Sequence, residues 1–270
     1  MNRFFSFLTC RTAVVAVLAA CFHLCVSPVH SQTFSPVWRD LGPGQIRASA
    51  VNEWVNVEGM ASTGNPTTGA ITKVLVDPSH SNTIYAGAVN GGIWKTTDGG
   101  RNWTPLTDRL SSLSIGAMDF DSTDAKRQTI VAGVGRQSAF GFASGPLTGI
   151  QYSQDGGKSW TELWREKIYD DPDTKKFEIT KDIVGIAARG SVIMAAVRDI
   201  ASPITNVVGL YRSTDGGKSF KNDEDAVKGL PKGNLQSLAA DPTNASRFYV
   251  TVVNGNNQET GIYRSDDQGK

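Results

Sequence analysis

The 270-residue sequence predicts an all-β fold made of repeated four-stranded antiparallel units. A short motif with an Asp-x-Gly core returns at a spacing of roughly 50 to 60 residues, which indicates an array of like structural units. Apolar and β-branched runs precede every copy, and no segment has sustained helical periodicity. Four strands per unit at this period are typical of a β-propeller, so we predict three complete blades and a partial fourth.

The motif is predicted to form the turn between the third and fourth strands of each blade. Complete copies span Thr96–Trp103, Ser153–Trp160 and Ser213–Phe220, and a fourth begins at Ser265. An aspartate in such a turn accepts backbone N–H bonds, glycines supply positive-φ positions, and the final aromatic residue packs as a plug between blades. The positions given this structural role are Thr96, Asp98, Gly100, Trp103, Ser153, Asp155, Gly157, Trp160, Ser213, Asp215, Gly217, Phe220, Ser265, Asp267 and Gly269.

Each blade is expected to open with two β-branched runs, followed by a short aromatic-bearing strand that enters the motif. A fourth short strand follows it, as in Trp103–Leu106 and Trp160–Trp164. The first two runs of the successive blades are Ile71–Val76 and Thr83–Val89, Ile115–Phe120 and Thr129–Val134, Ile183–Ala188 and Val192–Val197, and Leu235–Ala240 and Arg247–Val253.

Residues 1–31 are predicted to be a signal peptide, separate from the propeller of residues 32–270. A basic start with Arg3 and Arg11 precedes the uncharged apolar run Thr12–Val26. This run is shorter than the ~20 residues that a membrane-spanning helix needs, so no transmembrane span is expected after cleavage.

A second processing route is open at Leu18–Cys21, which resembles a lipoprotein box. Cleavage before Cys21 would leave a lipid anchor on that cysteine. Either route leads out of the cytosol, so we expect a secreted, periplasmic or cell-surface protein.

The composition excludes several classes of site from the mature chain. All three cysteines lie within residues 1–31, which leaves no disulfide and no cysteine nucleophile after cleavage. Only His80 remains of the three histidines, which leaves too few for a multi-histidine zinc site. The segment Asp77–His80 reads as a surface turn, which disfavours a Ser-His-Asp triad built on His80. A net charge of +1 gives no sign of nucleic-acid binding. We expect no metal and no cofactor.

The motif resembles the Asp-box or BNR repeat, [S/T]-x-D-x-G-x-x-[W/F]. Proteins with this repeat include sialidases, xyloglucanase-type glycosidases, the sortilin ectodomain and the photosystem II stability factor. The resemblance extends over residues 37–270 and implies a β-propeller, but it does not imply one activity, because unrelated functions share this scaffold.

The signatures of the enzymes in this family are incomplete here. No Arg-Ile-Pro segment of the sialidase type is present, and Gln45–Arg47 stands in its place. Asn90 stands where the resemblance to xyloglucanases implies a catalytic aspartate before a Gly-Gly pair, and asparagine is neither acid nor base. The fourth motif stops at Lys270, so we expect the propeller to continue and a second carboxylate to be possible there.

Strand order predicts which face binds a partner. The motifs and the loops between first and second strands share one face, and the longer connections lie on the other, where binding residues of repeat proteins concentrate. The candidate binding residues on these connections are Arg136, Phe140, Phe142, Arg198, Asp199, Asn254 and Asn257. The sequence therefore favours an exported binding or scaffold module for a glycan or an extracellular or periplasmic protein. The alternative is a glycoside hydrolase of sialidase or xyloglucanase type, with part of its active site in further blades. Assistance in assembling a membrane complex is a third, weaker interpretation.

Overall fold

The structure is a computed structural model that describes residues 70–135, 146–165, 181–198, 208–222, 228–231, 233–253 and 259–270, and the backbone of 168–169 and 178–179. Within these ranges every regular element is a β-strand, and the predicted all-β fold is confirmed. The strands are β1 Ala70–Val76, β2 Ile84–Val89, β3 Gly92–Thr96, β4 Thr104–Pro105, β5 Ile115–Phe120, β6 Ile130–Val134, β7 Ile150–Ser153, β8 Thr161–Leu163, β9 Ile168–Tyr169, β10 Glu178–Ile179, β11 Asp182–Arg189, β12 Val192–Arg198, β13 Gly209–Ser213, β14 Asn234–Ala240, β15 Phe248–Val253 and β16 Gly261–Ser265.

The strands form four antiparallel meanders, each of which is one blade. Blade one is β1-β2-β3-β4, blade two is β5-β6-β7-β8, blade three is β11-β12-β13 and blade four is β14-β15-β16. The fourth strand of blade three is reduced to one bridge between Arg212 and Lys221. The β9–β10 ribbon, which the sequence did not predict, lies in the connection between blades two and three. These open sheets are those of a partial propeller.

The first strands of successive blades lie next to one another, since β1 contacts β5, β5 contacts β11, and β11 contacts β14. Each of these strands has a register shift near its start, at the second residue of β5 and at the third residue of β1, β11 and β14. The residues at the shift are Thr72, Gly116, Val184 and Gln236. A bulge bends a strand and increases its twist. The same irregularity is thus repeated in all four inner strands.

Two glycines allow blades two and three to approach closely. A Cβ on Gly116 would lie 2.2 Å from the carbonyl oxygen of Ile183, and one on Gly133 would lie 2.3 Å from the Ile183 side chain. Neither position can accept a side chain without moving the neighbouring strand, because the obstacle is backbone or a fully buried residue.

The hydrophobic core is divided into three clusters, one at each junction between neighbouring blades. The first contains Ile93 and Ile115, the second Ile150 and Ile193, and the third Met194 and Leu235, all fully or almost fully buried. Among the residues that the structure describes, each blade therefore buries its apolar side chains against its neighbours, as repeat units do.

The two faces of the blades are defined by the turns. We call the Asp-box motif of each blade its box. Each box bonds to the loop between the first and second strands of the same blade, as in Gly99 N–H to Asn82 O at 3.0 Å and Gly156 N–H to Gln128 O at 2.9 Å. We call this the box face. The connections between second and third strands and between blades leave from the opposite side, which we call the connection face.

One box departs from its sequence pattern at a strained position. Gly99, Gly156 and Gly216 have φ between 70° and 72°, and Gln268 takes φ 63° at the equivalent place in blade four. Left-handed backbone costs a residue with a Cβ about 1–2 kcal/mol.

We therefore predict that Gln268→Gly raises the free energy of unfolding by about 1 kcal/mol, measured by urea denaturation. The reverse change, Gly216→Gln, is the matched variant, because nothing lies within 4 Å of a Cβ built there and only the backbone conformation opposes it. It should lower stability by a similar amount. Equal free energies of unfolding for both variants and the parent would show that the backbone at Gln268 is not strained.

Candidate functional site

The hydroxyl group that opens each box organises the turn. In blade two, Ser153 Oγ donates to Asp155 Oδ1 at 2.9 Å and accepts the N–H of Gly157 at 2.9 Å and of Asp155 at 3.4 Å. The same three bonds are formed in the other boxes, from Thr96, Ser213 and Ser265. Since the hydroxyls of blades two and three are buried, these bonds satisfy amides that water cannot reach.

The aspartate closes the other half of the turn. Asp155 Oδ1 accepts the N–H of Ser159 at 2.9 Å, and its Oδ2 accepts the Ser159 hydroxyl at 2.6 Å. Asn102 and Ser219 donate in the same way to Asp98 and Asp215. Both carboxylate oxygens are therefore occupied in the first three boxes.

These bonds hold the box carboxyls in their charged form. The Ser159 hydroxyl and amide lower the pKa of Asp155 to about 2, and the Asn102 amide and side chain lower the pKa of Asp98 to about 2. The Ser219 bonds hold the pKa of Asp215 well below its usual range. A carboxylate so weakly basic, with its oxygens already bonded, is unsuited to acid–base chemistry at neutral pH.

Each of two boxes is also tied to the blade before it. Lys95 Nζ donates to Gly156 O at 3.2 Å, and Arg212 Nε donates to Gln268 O at 2.7 Å. Both cations directly precede the hydroxyl residue of their own box, and both acceptors directly follow a box aspartate. The Tyr85 hydroxyl also donates to Gly156 O, at 3.1 Å. The boxes thus link blades as well as closing turns.

The aromatic plugs lie at the blade junctions. Trp160 packs against the cluster shared by blades one and two, and Phe220 against the cluster shared by blades two and three. Trp160 Nε1 donates to Gly157 O at 3.1 Å, and the Phe220 ring stacks on Trp164 with centroids 4.5 Å apart. The plug of one blade therefore fills the junction with the preceding blade.

On the connection face, an arginine is held in place by a buried acid. Arg198, the last residue of β12, donates from Nη2 to Asp182 Oδ2 at 2.9 Å and from Nε at 3.3 Å. The Asp182 side chain is 2% exposed and that of Arg198 is 19% exposed. A buried charge needs such pairing, so Asp182 fixes the direction in which Arg198 reaches the surface.

A second buried cation lies beside this pair. Lys181 Nζ donates to the carbonyl of Trp164 at 2.6 Å and lies 4.5 Å from the centre of the Trp164 ring. Trp164 has φ 55°, a conformation that is strained for a large side chain, and its ring also contacts Tyr211 with centroids 4.7 Å apart. Lys181, Asp182, Trp164 and Arg198 together form what we call the blade-three cluster.

A further ion pair lies near the box face. Arg189 Nη1 donates to Asp119 Oδ2 at 3.2 Å and to Phe120 O, and its Nη2 donates to Asp241 O at 3.4 Å, so one guanidinium joins blades two, three and four. Burial raises the pKa of Asp119 to about 6, because loss of hydration outweighs the attraction of Arg189. Above that pH the charged form of Asp119 costs stability.

Of the seven predicted binding residues, Arg198 lies in the described part of the chain and belongs to the blade-three cluster. Arg136, Phe140, Phe142, Asp199, Asn254 and Asn257 lie outside the described residues, as do residues 1–31 with Cys21. Asn90 lies in the two-residue turn between β2 and β3, with φ 61°.

Sequence reasoning missed Lys181, Asp182 and the Asp119–Arg189 pair. Aligning the blades would have indicated Arg189, because it stands at the end of an inner strand where the other blades have Asp77, Asp121 and Asp241. No local motif marks Lys181 or Asp182.

Within the ranges that the structure describes, no set of three or more histidine, cysteine or acidic side chains is grouped so as to hold a metal ion. A helix long and apolar enough to cross a membrane is likewise not found among those residues.

The box carboxylates predict a specific loss of stability in acid. The pKa of Asp155 is about 2 in the fold and about 3.9 in an unfolded chain. Its contribution is therefore complete above about pH 5 and disappears as the pH falls towards 2. We expect Asp155→Asn to lower the unfolding midpoint at pH 7 and the difference from the parent to shrink towards pH 2, measured by circular dichroism.

The exposed Asp108, which lies outside the boxes, provides the matched control. Asp108→Asn should leave the unfolding midpoint unchanged at both pH values. A deficit of Asp155→Asn that stayed constant from pH 7 to pH 2 would show that its carboxylate charge is irrelevant to the turn.

Comparison with known proteins agrees with this geometry. The family model for the BNR/Asp-box repeat matches residues 151–162, from β7 through the second box into β8. Over 54 residues the chain is 47% identical to a protein of Neosartorya fischeri described as "Probable oligoxyloglucan-reducing end-specific xyloglucanase". That alignment covers 20% of this chain and 6% of the relative.

Similar solved structures include two GH74 enzymes and a protein in complex with a peptide. An ancestral GH74 enzyme matches with a TM-score of 0.47 and 21% identity, over 86% of this chain and 24% of its own. The GH74 xyloglucanase from Xanthomonas campestris matches at 0.46 and 20% identity, over 74% and 29%. YCF48 bound to D1 peptide matches at 0.44 and 21% identity, over 74% and 56%. The chain thus spans about a quarter of the first of these structures.

The same hydroxyl–aspartate turn is present in all four blades, and the family model matches the second of these turns. The chain is therefore similar to BNR/Asp-box repeat proteins in the turn of each blade, and its sheets are those of a partial β-propeller.

Proposed function

We propose that this chain is part of an exported binding or scaffold propeller, whose connection face holds a glycan or protein partner. The observation that carries the proposal is the difference between the two faces. On the box face the carboxylates of the first three boxes are consumed by their own turns. On the connection face the blade-three cluster exposes the Arg198 guanidinium, whose direction is fixed by the buried Asp182 carboxylate.

Arg198 has the properties of a recognition group. Its guanidinium is partly exposed, and a carboxylate that is almost fully buried accepts two of its N–H groups. Such an arginine loses little conformational freedom on binding, and its planar donors suit the carboxylates and hydroxyls of glycans and peptides. The neighbouring Lys181 and Trp164 are buried and bond to one another, which stabilises the structure around Arg198.

Export is part of the proposal. The basic and apolar leader of residues 1–31 supports it, with the lipoprotein route at Cys21 as its variant. A secreted, periplasmic or cell-surface protein would meet soluble glycans and the exposed domains of other proteins.

A glycoside hydrolase is the second candidate, favoured by the 47% identity to the xyloglucanase of Neosartorya fischeri over 54 residues. Such an enzyme needs two carboxyl groups about 5–10 Å apart at the scissile bond. Asp119 has the raised pKa of a general acid, but it is paired with Arg189 close to the box face. Asn90 lacks an ionisable group. Within the described residues, therefore, the binding function is the better supported.

A glycan-binding measurement tests the proposal. Xyloglucan oligosaccharides are the first probe, because they are the substrate class in the name of the similar enzyme, and a set of acidic and neutral glycans extends the search. We expect a glycan of this set to bind the parent protein, measured by isothermal titration calorimetry, and Arg198→Lys to weaken that binding about tenfold or more through loss of the fork. Lysine keeps a positive charge beside Asp182, so the fold is preserved.

The matched control is Arg247→Lys on the box face, where Arg247 bonds Asp266 at 2.6 Å. It should bind as the parent does. Equal weakening by both variants, or no effect of Arg198→Lys, would overturn the assignment of the face. Release of reducing sugar by the parent, followed chromatographically, would establish the hydrolase instead.

A further inference from the structure

The three junctions between neighbouring blades are not held alike on the box face. Where blades one and two meet, Lys95 of blade one donates to the box carbonyl of Gly156 at 3.2 Å. Where blades three and four meet, Arg212 of blade three donates to the box carbonyl of Gln268 at 2.7 Å. In both cases the acceptor is a backbone carbonyl, which has no proton to gain or lose near neutral pH.

The junction of blades two and three is bonded differently. The equivalent donor position, directly before Ser153, is occupied by Tyr152. Within the described residues the Tyr152 hydroxyl bonds to Gln154 Nε2 at 3.2 Å, inside its own box. The equivalent acceptor residue is Gly216, and a Cβ built on it would have no atom of another segment within 4 Å. Tyr152 therefore does not tie blade two to the box of blade three.

Two carboxylates of blade two connect it to blade three instead. Arg189 Nη1 donates to Asp119 Oδ2 at 3.2 Å, and the Gly190 N–H donates to Asp121 Oδ2 at 2.7 Å. The donors lie at the end of β11 and directly after it, and the acceptors lie near the end of β5 and directly after it. A carboxylate, unlike a backbone carbonyl, can gain a proton. The box-face bonds of this junction can therefore respond to pH.

Asp119 and Arg189 are both departures from the repeat. The residue two places before the turn aspartate is Leu75 in blade one and Ala239 in blade four, whereas blade two has Asp119. Arg189 stands where the other three blades have that aspartate. The acid and the base thus replace repeated residues on the two sides of one junction.

The charged groups that face Asp119 come from the inner strands on either side of it. Arg189 on β11 and Lys73 on β1 both favour its charged form. Asp121, two residues further along, already accepts two amide N–H groups. Tyr85 on β2 donates to the second box, and β6 has no titratable side chain. Arg189 and Lys73 are therefore the cations that oppose protonation of Asp119.

Burial decides the protonation of Asp119. Its side chain is 28% exposed, so water can deliver a proton, whereas the Arg189 side chain is 2% exposed. Loss of hydration outweighs the attraction of both cations and raises the pKa of Asp119 to about 6. Opening of the junction would hydrate the carboxyl and return its pKa towards the ~3.9 of a free aspartate. The charged form therefore favours opening, and the protonated form favours the closed junction.

We propose that the box-face side of the junction between blades two and three is a proton-responsive joint, closed when Asp119 is protonated and looser when Asp119 is charged. Arg189 keeps its bonds to Phe120 O at 3.1 Å and to Asp241 O at 3.4 Å in either state, because a backbone carbonyl does not titrate. The change is therefore a loosening of the joint and not a separation of the blades.

Hydrogen exchange of the Gly190 amide in the full chain tests the joint, because its bond to Asp121 crosses the junction. With a pKa of about 6 in the closed joint and ~3.9 in the open one, the opening constant should rise roughly tenfold from pH 5 to pH 7.5. It should level off above about pH 7. These values are compared after correction for the intrinsic exchange rate, and they need no variant.

The Gly156 amide is the internal control, since it bonds to Gln128 O within blade two at 2.9 Å. Its opening constant should change less than about twofold over the same pH range. An equal rise at Gly156 would show a general change in stability and would overturn the joint. A Gly190 opening constant that is the same at pH 5 and pH 7.5 would also overturn it.

Asp119→Asn identifies the titrating group, because asparagine keeps the shape and one acceptor oxygen but cannot ionise. In this variant the pH dependence at Gly190 should disappear, and its protection at pH 7.5 should reach at least that of the parent at pH 5. Asp121 is unchanged in the variant, so a pH dependence that arose from Asp121 would remain. A tenfold rise that persists in Asp119→Asn would overturn the proposal.

Discussion

The rest of the structure depends on one set of hydrogen bonds in each box. The Ser or Thr hydroxyl that opens the box bonds to the box aspartate and to the N–H of the second glycine. One hydroxyl serves two amides and one carboxylate, and the carboxylate in turn anchors the residue before the plug. The turn therefore fixes three things together: the end of the third strand, the start of the fourth, and the entry of the plug into the junction with the preceding blade.

Among the described residues, the hydrophobic clusters are shared between neighbouring blades, so the contacts between blades are specific. The three hydrophobic clusters all lie at junctions, so a blade is stable only against its neighbours. Gly116 and Gly133 allow two backbones to touch, and Arg189 joins three blades through carbonyls and one carboxylate.

Local chemistry made the boxes, the strands and the two faces predictable from the sequence. An aspartate before a glycine strongly favours a turn, and β-branched runs of five to eight residues strongly favour strands. The bulge in the inner strands was not predictable, because Thr72, Gly116, Val184 and Gln236 share no side-chain property. Asp182 and Lys181 were missed for the opposite reason: charged residues ordinarily lie at the surface, and only the tertiary structure buries these two. Strand order placed Arg198 on the connection face, where β12 ends, but its pairing with Asp182, 16 residues away in sequence, was not predictable.

The boxes have a structural role, and we propose that recognition belongs to the opposite face. The most direct measurement is the free energy of unfolding of Ser213→Ala, together with its glycan binding. Ser213 is buried, and the variant leaves the Gly217 N–H without its 2.8 Å partner. We expect a loss of about 1–3 kcal/mol in the free energy of unfolding and unchanged glycan affinity at a temperature where the variant is folded. Stability within about 0.5 kcal/mol of the parent, or loss of binding by the folded variant, would contradict it.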